Sequence, residues 1–150
     1  MLRYTRKDEY TEKDGVITIA RRVRVYARPP QRVLETLSCT QDTDKEVVSS
    51  IPSNVEGRVN VQLFQGASAL NNAELEIQFS QRGLMSYPLA KIVFNKAYPE
   101  FAVRYFNITQ FVDFHGNWCY VAFDGRSVRV HRCTGLYSQG LWFLGISADV

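Results

Sequence analysis

The chain is poor in the residues that build cross-linked or metal-bound frameworks. It has three cysteines and two histidines in 150 residues. Three is an odd number, no CxxC pair occurs, and His115 and His131 lie far apart in the sequence. The sequence therefore predicts neither a disulfide framework nor a zinc site. This cysteine usage favours a reducing, intracellular setting.

Long hydrophobic runs are also missing. No apolar run approaches the roughly 20 residues that cross a bilayer, and the opening MLRYTRKDEYTEKDG is charged throughout, without the apolar core of a signal peptide. We expect a protein that is neither secreted nor membrane-spanning. We also expect residues 1–14 to form a flexible arm of mixed charge before one globular domain, residues 15–150.

Signatures of catalysis and of cofactor binding do not occur. The sequence has no GxGxxG, no phosphate loop, no HxxxH and no nucleophile elbow. His131 and Cys133 would share one face of a strand, but a surface pair of this kind is more often incidental than catalytic. The sequence predicts a non-enzymatic protein with no metal, no cofactor and no small-molecule substrate.

The chain does have a core and an uneven distribution of charge. Hydrophobic residues make up 45% of it and aromatic residues 13%, which predicts a folded single domain. The net charge is only +3, yet residues 20–32 hold five cations and no acid, whereas residues 35–46 hold four acids and one lysine. A local basic surface can attract phosphate or an anionic membrane. Its candidate members are Arg21, Arg22, Arg24, Arg28 and Arg32.

Most of these arginines belong to an alternating segment. Residues 16–26 predict a strand, because the apolar positions Ile17, Ile19, Val23 and Val25 share one parity while Thr18, Arg22, Arg24 and Tyr26 share the other. Arg21 is the exception on the apolar parity. The prolines at 29 and 30 end the strand, and the second can begin a short helix with Val33, Leu34 and Leu37 on one stripe.

Residue alternation, helical spacing and turn-forming residues predict further elements. Residues 40–57 are polar and predict a mobile or exposed connection. Residues 59–63 and 74–79 alternate and predict two strands joined by a loose hairpin, and residues 89–94 predict another short strand. Helical spacing favours a helix from near Pro99 through Val112. The glycine-broken tail after Gly135 predicts a final strand or extended segment over the core, in this sheet or in a neighbour's.

The segment NWCYVAFDGRSVRVHR predicts a hairpin. Asp124 and Gly125 suit a two-residue turn, and that register pairs Tyr120 with Arg129 and Trp118 with His131, giving a second, aromatic and basic face. Cations beside stacking rings are typical of single-stranded nucleic-acid binding, although a cross-strand cation–π pair can also merely stabilise a hairpin. The whole pattern predicts an α+β, β-rich compact domain with a twisted antiparallel sheet and two short helices.

With these elements placed, about half of the chain resembles the globular core of rhabdovirus matrix proteins. The first similar segment is the turn RPPQR followed by the helix RVLETL. The second is the pair VNVQLFQG and ELEIQF, which resembles the family's two strands around an aromatic-x-Gly turn. The third is PEFAVRYFNITQFVDFHGNWCYV, which resembles its late helix running into a Gly-x-Trp strand. The chain departs from the family in its short amino-terminal arm and in lacking a proline–proline–x–tyrosine motif, since Gln31 and Arg32 follow the prolines. Residues 126–150 have no counterpart in the family pattern.

The resemblance implies a viral structural protein that self-associates, coats the inner face of a membrane and condenses a nucleocapsid. Its contact surface would be the five arginines with Lys7 and Lys13, and the arm and residues 40–57 would reach a neighbouring subunit. Two alternatives stay open. One is a β-rich RNA-binding module, such as a viral silencing suppressor or movement factor, that uses the Trp118 to His131 hairpin. The other is a capsid or tail subunit of the jelly-roll type.

Overall fold

A single nine-stranded sheet organises the chain. The computed structural model describes residues 9–133 and 135–148. Its strands are β1 (Tyr10–Lys13), β2 (Val16–Ile19), β3 (Val23–Val25), β4 (Thr40–Thr43), β5 (Gly57–Gln65), β6 (Asn107–Val112), β7 (Trp118–Phe123), β8 (Ser127–Arg132) and β9 (Trp142–Ala148). Their order in the sheet is β1-β2-β5-β9-β6-β7-β8-β4, and β3 pairs with β5 outside this path. All pairings are antiparallel except β4 with β8 and β6 with β9.

Helices cover both faces of the sheet. They are α1 (Pro30–Glu35), α2 (Lys45–Ser49), α3 (Asn72–Gln81), α4 (Pro88–Ala97) and α5 (Pro99–Arg104). Neighbouring strand residues point to opposite faces, so Leu63 packs in the core under α1, α2, α4 and α5, while Phe64 packs in a second core with α3. None of the helices in the described ranges is long and apolar enough to cross a membrane. The expected α+β, β-rich class is confirmed, with five helices instead of two.

The predicted strand 16–26 is split in two. Both β2 and β3 pair with β5, and residues 20–22 between them lie outside either ladder. The parity of the buried positions is the same on both sides of this break, from Ile17 and Ile19 to Val23 and Val25, but Arg21 within the break is exposed. The predicted arm overlaps the sheet at its end, because Tyr10–Lys13 form β1.

The predicted mobile or exposed connection at 40–57 contains regular structure, although most of residues 40–46 are exposed. Thr40–Thr43 form β4, and the Asp44 carboxylate caps α2 by accepting from the backbone N–H groups of Glu46 and Val47. Val47, Val48 and Ile51 are buried in the main core. Three apolar side chains in a polar stretch are enough to anchor one turn of helix when a cap satisfies its first amides.

Two predicted strands are helices. Residues 74–79 belong to α3, where Leu75 and Phe79 are buried one turn apart and Ile77 between them is 54% exposed. The family-like pairing of VNVQLFQG with a strand at ELEIQF is therefore wrong. Residues 89–94 belong to α4, which begins at Pro88 and is buried on almost every side. A short apolar run does not distinguish a buried helix from a buried strand.

The predicted helix from Pro99 through Val112 is half right. It ends at Arg104, and Asn107–Val112 form β6, which pairs with β7 and β9. The final strand predicted in the tail is confirmed as β9, Trp142–Ala148. It enters this chain's own sheet, where β9 is a central strand between β5 and β6.

The hairpin of β7 and β8 forms, but its register is two residues from the predicted one. Phe123 pairs with Val128, so four residues form the loop. The Asp124 carboxylate accepts from the backbone N–H groups of Arg126 and Ser127, which stabilises this wider turn in place of the two-residue form. Because the shift is even, each side chain keeps its expected face.

Candidate nucleic-acid or membrane interface

The arginine-rich segment is presented by β3, by the proline turn and by α1. Val23 and Val25 of β3 are buried, which leaves Arg24 between them facing outward. Pro30 occupies the first turn of α1, and burial of Val33 and Leu34 turns Arg32 toward solvent. The segment is therefore a rigid support for exposed cations.

An open groove of about 900 Å³ runs between this segment and α4. Four cationic side chains line it, namely Arg24, Arg28, Arg32 and Lys96. Tyr26 also lines it, the apolar side chains of Pro29, Val33 and Val93 contribute to its surface, and Glu35 is the one acid. We call this feature the basic groove.

Tyr26 is the aromatic centre of the basic groove. The residue is 44% exposed, and the guanidinium carbons of Arg24 and Arg28 lie 5.4 and 4.9 Å from its ring centroid. Cation–π attraction of this kind contributes about 0.5–1 kcal/mol at an exposed site. It orients the two guanidinium groups around the ring.

The cations of the basic groove are not neutralised within the described part of the chain. None of Arg24, Arg28, Arg32 and Lys96 has a described carboxylate within 4.0 Å. Arg58 of β5 stands directly opposite Arg24 of β3 and is also exposed. Like charges in directly opposed positions are destabilising, and a bound anion would relieve that repulsion.

The sequence-predicted contact residues are only partly brought together. Arg24, Arg28 and Arg32 line the basic groove, whereas Arg21 and Arg22 are exposed in the break between β2 and β3 and do not line it. Lys13 is exposed on β1, and Lys7 lies outside the described residues. Sequence reasoning missed Lys96 because α4 was read as a strand ending at residue 94, and it missed Arg58 because strand pairing was not derivable.

The second predicted face is divided. Tyr120 and Arg129 line one cleft and Trp118 lines another. Tyr120 pairs with His131, not with Arg129, and Asp42 of β4 lies beside both His131 and Arg129. Its Oδ1 is 2.9 Å from His131 Nε2, and its Oδ2 is 3.8 Å from Arg129 Nε. The sequence missed Asp42 because residues 40–57 were not expected to join the sheet.

The remaining histidine and cysteine side chains have structural partners. His115 Nε2 lies 2.8 Å from Glu46 Oε1 on α2. Cys133 Sγ is 3.7 Å from the Gly135 carbonyl oxygen, while His131 is directed to Asp42. Within residues 9–133 and 135–148, no three His, Cys, Asp or Glu side chains converge as metal ligands would.

A buried lysine lies in α4, the helix that also carries Lys96. Lys91 is fully buried, and its Nζ donates to Asn95 Oδ1 at 2.7 Å and to Asn107 Oδ1 at 2.5 Å. No described carboxylate forms an ion pair with it. Desolvation lowers the pKa of Lys91 from 10.5 to about 7. Nothing in the sequence pattern indicated this site.

Comparisons with known proteins found no match: no family model, no curated protein and no solved structure matches the chain.

Proposed function

We propose that the chain is a non-enzymatic structural protein of the viral matrix type, which self-associates and binds a polyanion, an anionic membrane or a nucleocapsid, through the basic groove. One observation carries the proposal. Four cationic side chains line a single groove with no described carboxylate within ion-pair distance of any of them. An uncompensated cluster of this kind raises the local concentration of phosphate-bearing partners.

The energetics link binding to self-association. A basic side chain near an anionic surface contributes about 1 kcal/mol, so four of them give roughly 4 kcal/mol, which corresponds to a dissociation constant near 1 mM. One subunit would therefore bind reversibly and weakly. Subunits joined in an array would bind far more tightly, because each further contact becomes intramolecular.

The two alternative functions receive less support from the geometry. On the hairpin face, Asp42 lies within 4.0 Å of both Arg129 and His131 and offsets the charge that RNA would need. A jelly roll packs two sheets face to face, whereas the described chain has one sheet with helices packed on it. The basic groove is the better candidate on both counts.

Binding to vesicles and to immobilised polyphosphate tests the proposal. The variant Arg28→Ser/Arg32→Ser removes two groove cations, and Lys45→Ser/Arg104→Ser removes the same charge from exposed positions elsewhere. We expect the groove variant to lose at least 10-fold in binding at low salt, in line with about 1 kcal/mol per cation. The control should lose little. Binding to both probes that ignores the groove substitutions would contradict the proposal.

Self-association is tested by light scattering across salt concentration. Charge-driven contacts weaken as the Debye length shortens from about 10 Å at 0.1 M to 3 Å at 1 M salt. We expect particles larger than the monomer at low salt that shrink as salt is added. A monomer under all conditions, including in the presence of polyphosphate, would remove the assembly part of the proposal.

A further inference from the structure

We infer that the polyanion taken by the basic groove is a single-stranded nucleic acid, with a base stacked on the Arg24–Tyr26–Arg28 layer and neighbouring phosphates on Arg32 and Lys96. The inference rests on the proposed function and narrows it. A membrane surface is the competing partner, and the geometry of the groove separates the two.

The shape of the groove disfavours a bilayer as the main partner. Its four cations line a concavity of about 900 Å³, whereas a flat headgroup layer is reached best by side chains on a convex surface. Peripheral membrane surfaces also combine cations with apolar side chains that enter the acyl boundary. Among the large apolar side chains exposed in the described ranges, only Tyr26 lines the groove.

The chemistry of the groove suits nucleotides. Nucleic-acid bases stack on aromatic rings and on guanidinium planes, and the Tyr26 ring with Arg24 and Arg28 presents both kinds of surface within 5.4 Å. Glu35, the one acid of the groove, accepts a hydrogen bond from Gln31 Nε2 at 3.3 Å. It would repel a phosphate but can accept from the amino group of a base. The groove therefore offers partners for rings, for amino groups and for phosphates.

A second cleft extends the groove beyond one phosphate. It has a volume of about 450 Å³, shares Lys96 with the basic groove, and is lined also by Ser38 and Asn95. The Asn95 side chain is fully buried, and its Nδ2 has no acceptor among the described residues. That nitrogen is closed to solvent, so the contacts that this cleft offers to a ligand come from Lys96 and Ser38. A polymer that passes Lys96 can occupy both spaces.

Fluorescence anisotropy tests the inference with a labelled oligouridylate of about 12 nucleotides, a length within the range that single-strand sites cover. Neutralisation of the two phosphates on Arg32 and Lys96 predicts a slope of about −1.4 for log K against log salt, which is roughly a 7-fold loss between 50 and 200 mM. Tyr26→Ala should weaken binding about 5-fold or more, since stacking contributes about 1–3 kcal/mol per base. Tyr26→Phe, which keeps the ring, should bind within about 2-fold of the parent.

Matched probes and variants distinguish the outcomes. We expect Arg28→Ser/Arg32→Ser, but not Lys45→Ser/Arg104→Ser, to weaken oligonucleotide binding at least 10-fold, and we expect Tyr26→Ala to weaken binding to the single strand more than binding to duplex RNA or to anionic vesicles, which lose only the orientation of Arg24 and Arg28. Arginine-dependent binding to vesicles without tighter binding to the single strand would overturn the inference while leaving the proposed function standing. An equal effect of Tyr26→Ala on all three probes would also overturn it, because it rules out base stacking. If no polyanion binds in an arginine-dependent manner, the proposed function fails as well.

Thermal melting confirms that each variant is folded, which is expected because all substituted side chains are exposed.

Discussion

At Gly145 of β9, Leu84 after α3 and Phe79 of α3 pack tightly against the sheet. A Cβ at this position of β9 would lie 2.9 Å from Leu84 Cβ and 2.9 Å from Phe79 Cε1. Real carbon atoms do not approach this closely, and Leu84 Cβ is held by its own backbone. The absence of a side chain at Gly145 is therefore what allows the second core to close.

We expect Gly145→Ala to destabilise the protein by about 1–3 kcal/mol, as overpacking of a close-packed interior usually does. Gly135→Ala is the control, because no atom lies within 4 Å of its added Cβ, and it should change stability by less than about 0.5 kcal/mol. The free energy of unfolding in urea measures both. Equal stabilities for the two variants would show that α3 can move away from the sheet.

At the scale of the element, α3 depends on its first turn. The Asn71 side chain accepts from the backbone N–H of Glu74, and the Glu74 carboxylate accepts from the backbone N–H of Asn71, which forms a capping box. Only Leu75 and Phe79 of this helix are buried. A helix with so little buried surface relies on its cap more than α4 does.

We expect Asn71→Ala to lower the free energy of unfolding by about 1 kcal/mol, because it leaves the backbone N–H of Glu74 without its acceptor. Asn71→Ser keeps an acceptor and should restore most of the loss. Urea titration gives the stabilities, and hydrogen exchange in residues 72–81 shows whether the effect is local. A loss shared equally by the serine variant would point to packing of the asparagine and not to capping.

The same helix shows what the sequence can and cannot decide. Leu75, Ile77 and Phe79 alternate with polar residues, so period two predicted a strand; the capping pair Asn71 and Glu74 was the signal for a helix. The β-hairpin of β7 and β8 was predictable because its pairing is local. Its register was not, since the Asp124 side chain stabilises a wider loop.

The candidate site was predictable only where it is built from neighbouring residues. Arg24, Arg28 and Arg32 come from one continuous segment, and alternation together with the proline turn was enough to predict their exposure. Lys96 reaches the groove from α4, and Arg58 faces Arg24 through the β3–β5 pairing. Both placements depend on long-range packing, which no local pattern in the sequence specifies.

At the scale of the whole molecule, two buried groups shape the dependence of stability on pH. Desolvation lowers the pKa of Lys91 to about 7 from 10.5. Its buried ammonium therefore costs stability below pH 7, and the cost falls as pH rises from 7 toward 10.5, where the unfolded chain binds more protons than the folded one. Desolvation, with a smaller contribution from Asp113, raises the pKa of Cys119 from 9.0 to about 11. The buried thiol of Cys119 therefore contributes stability that is fully present below pH 9, and this contribution is lost as pH rises through 11.

These opposite effects predict that stability rises above pH 7 and levels off between about pH 9 and 10.5, where the two contributions nearly cancel. Between pH 7 and pH 9 the free energy of unfolding should rise by about 2 kcal/mol, since each pKa unit of difference is worth about 1.4 kcal/mol and folded Lys91 is already partly deprotonated at pH 7. Lys91→Met should remove this rise, because methionine has no proton to release. The oxygens of Asn95 and Asn107 lose their donor in this variant, but they lose it equally at every pH, so absolute stability changes and the slope does not depend on it.

Urea titrations at half-unit steps from pH 6 to 10 measure both proteins, with Lys96→Met as an exposed control on the same helix. A parent protein whose stability is flat between pH 7 and 9, or a Lys91→Met variant that keeps the slope, would show that the buried amine stays protonated in the folded state.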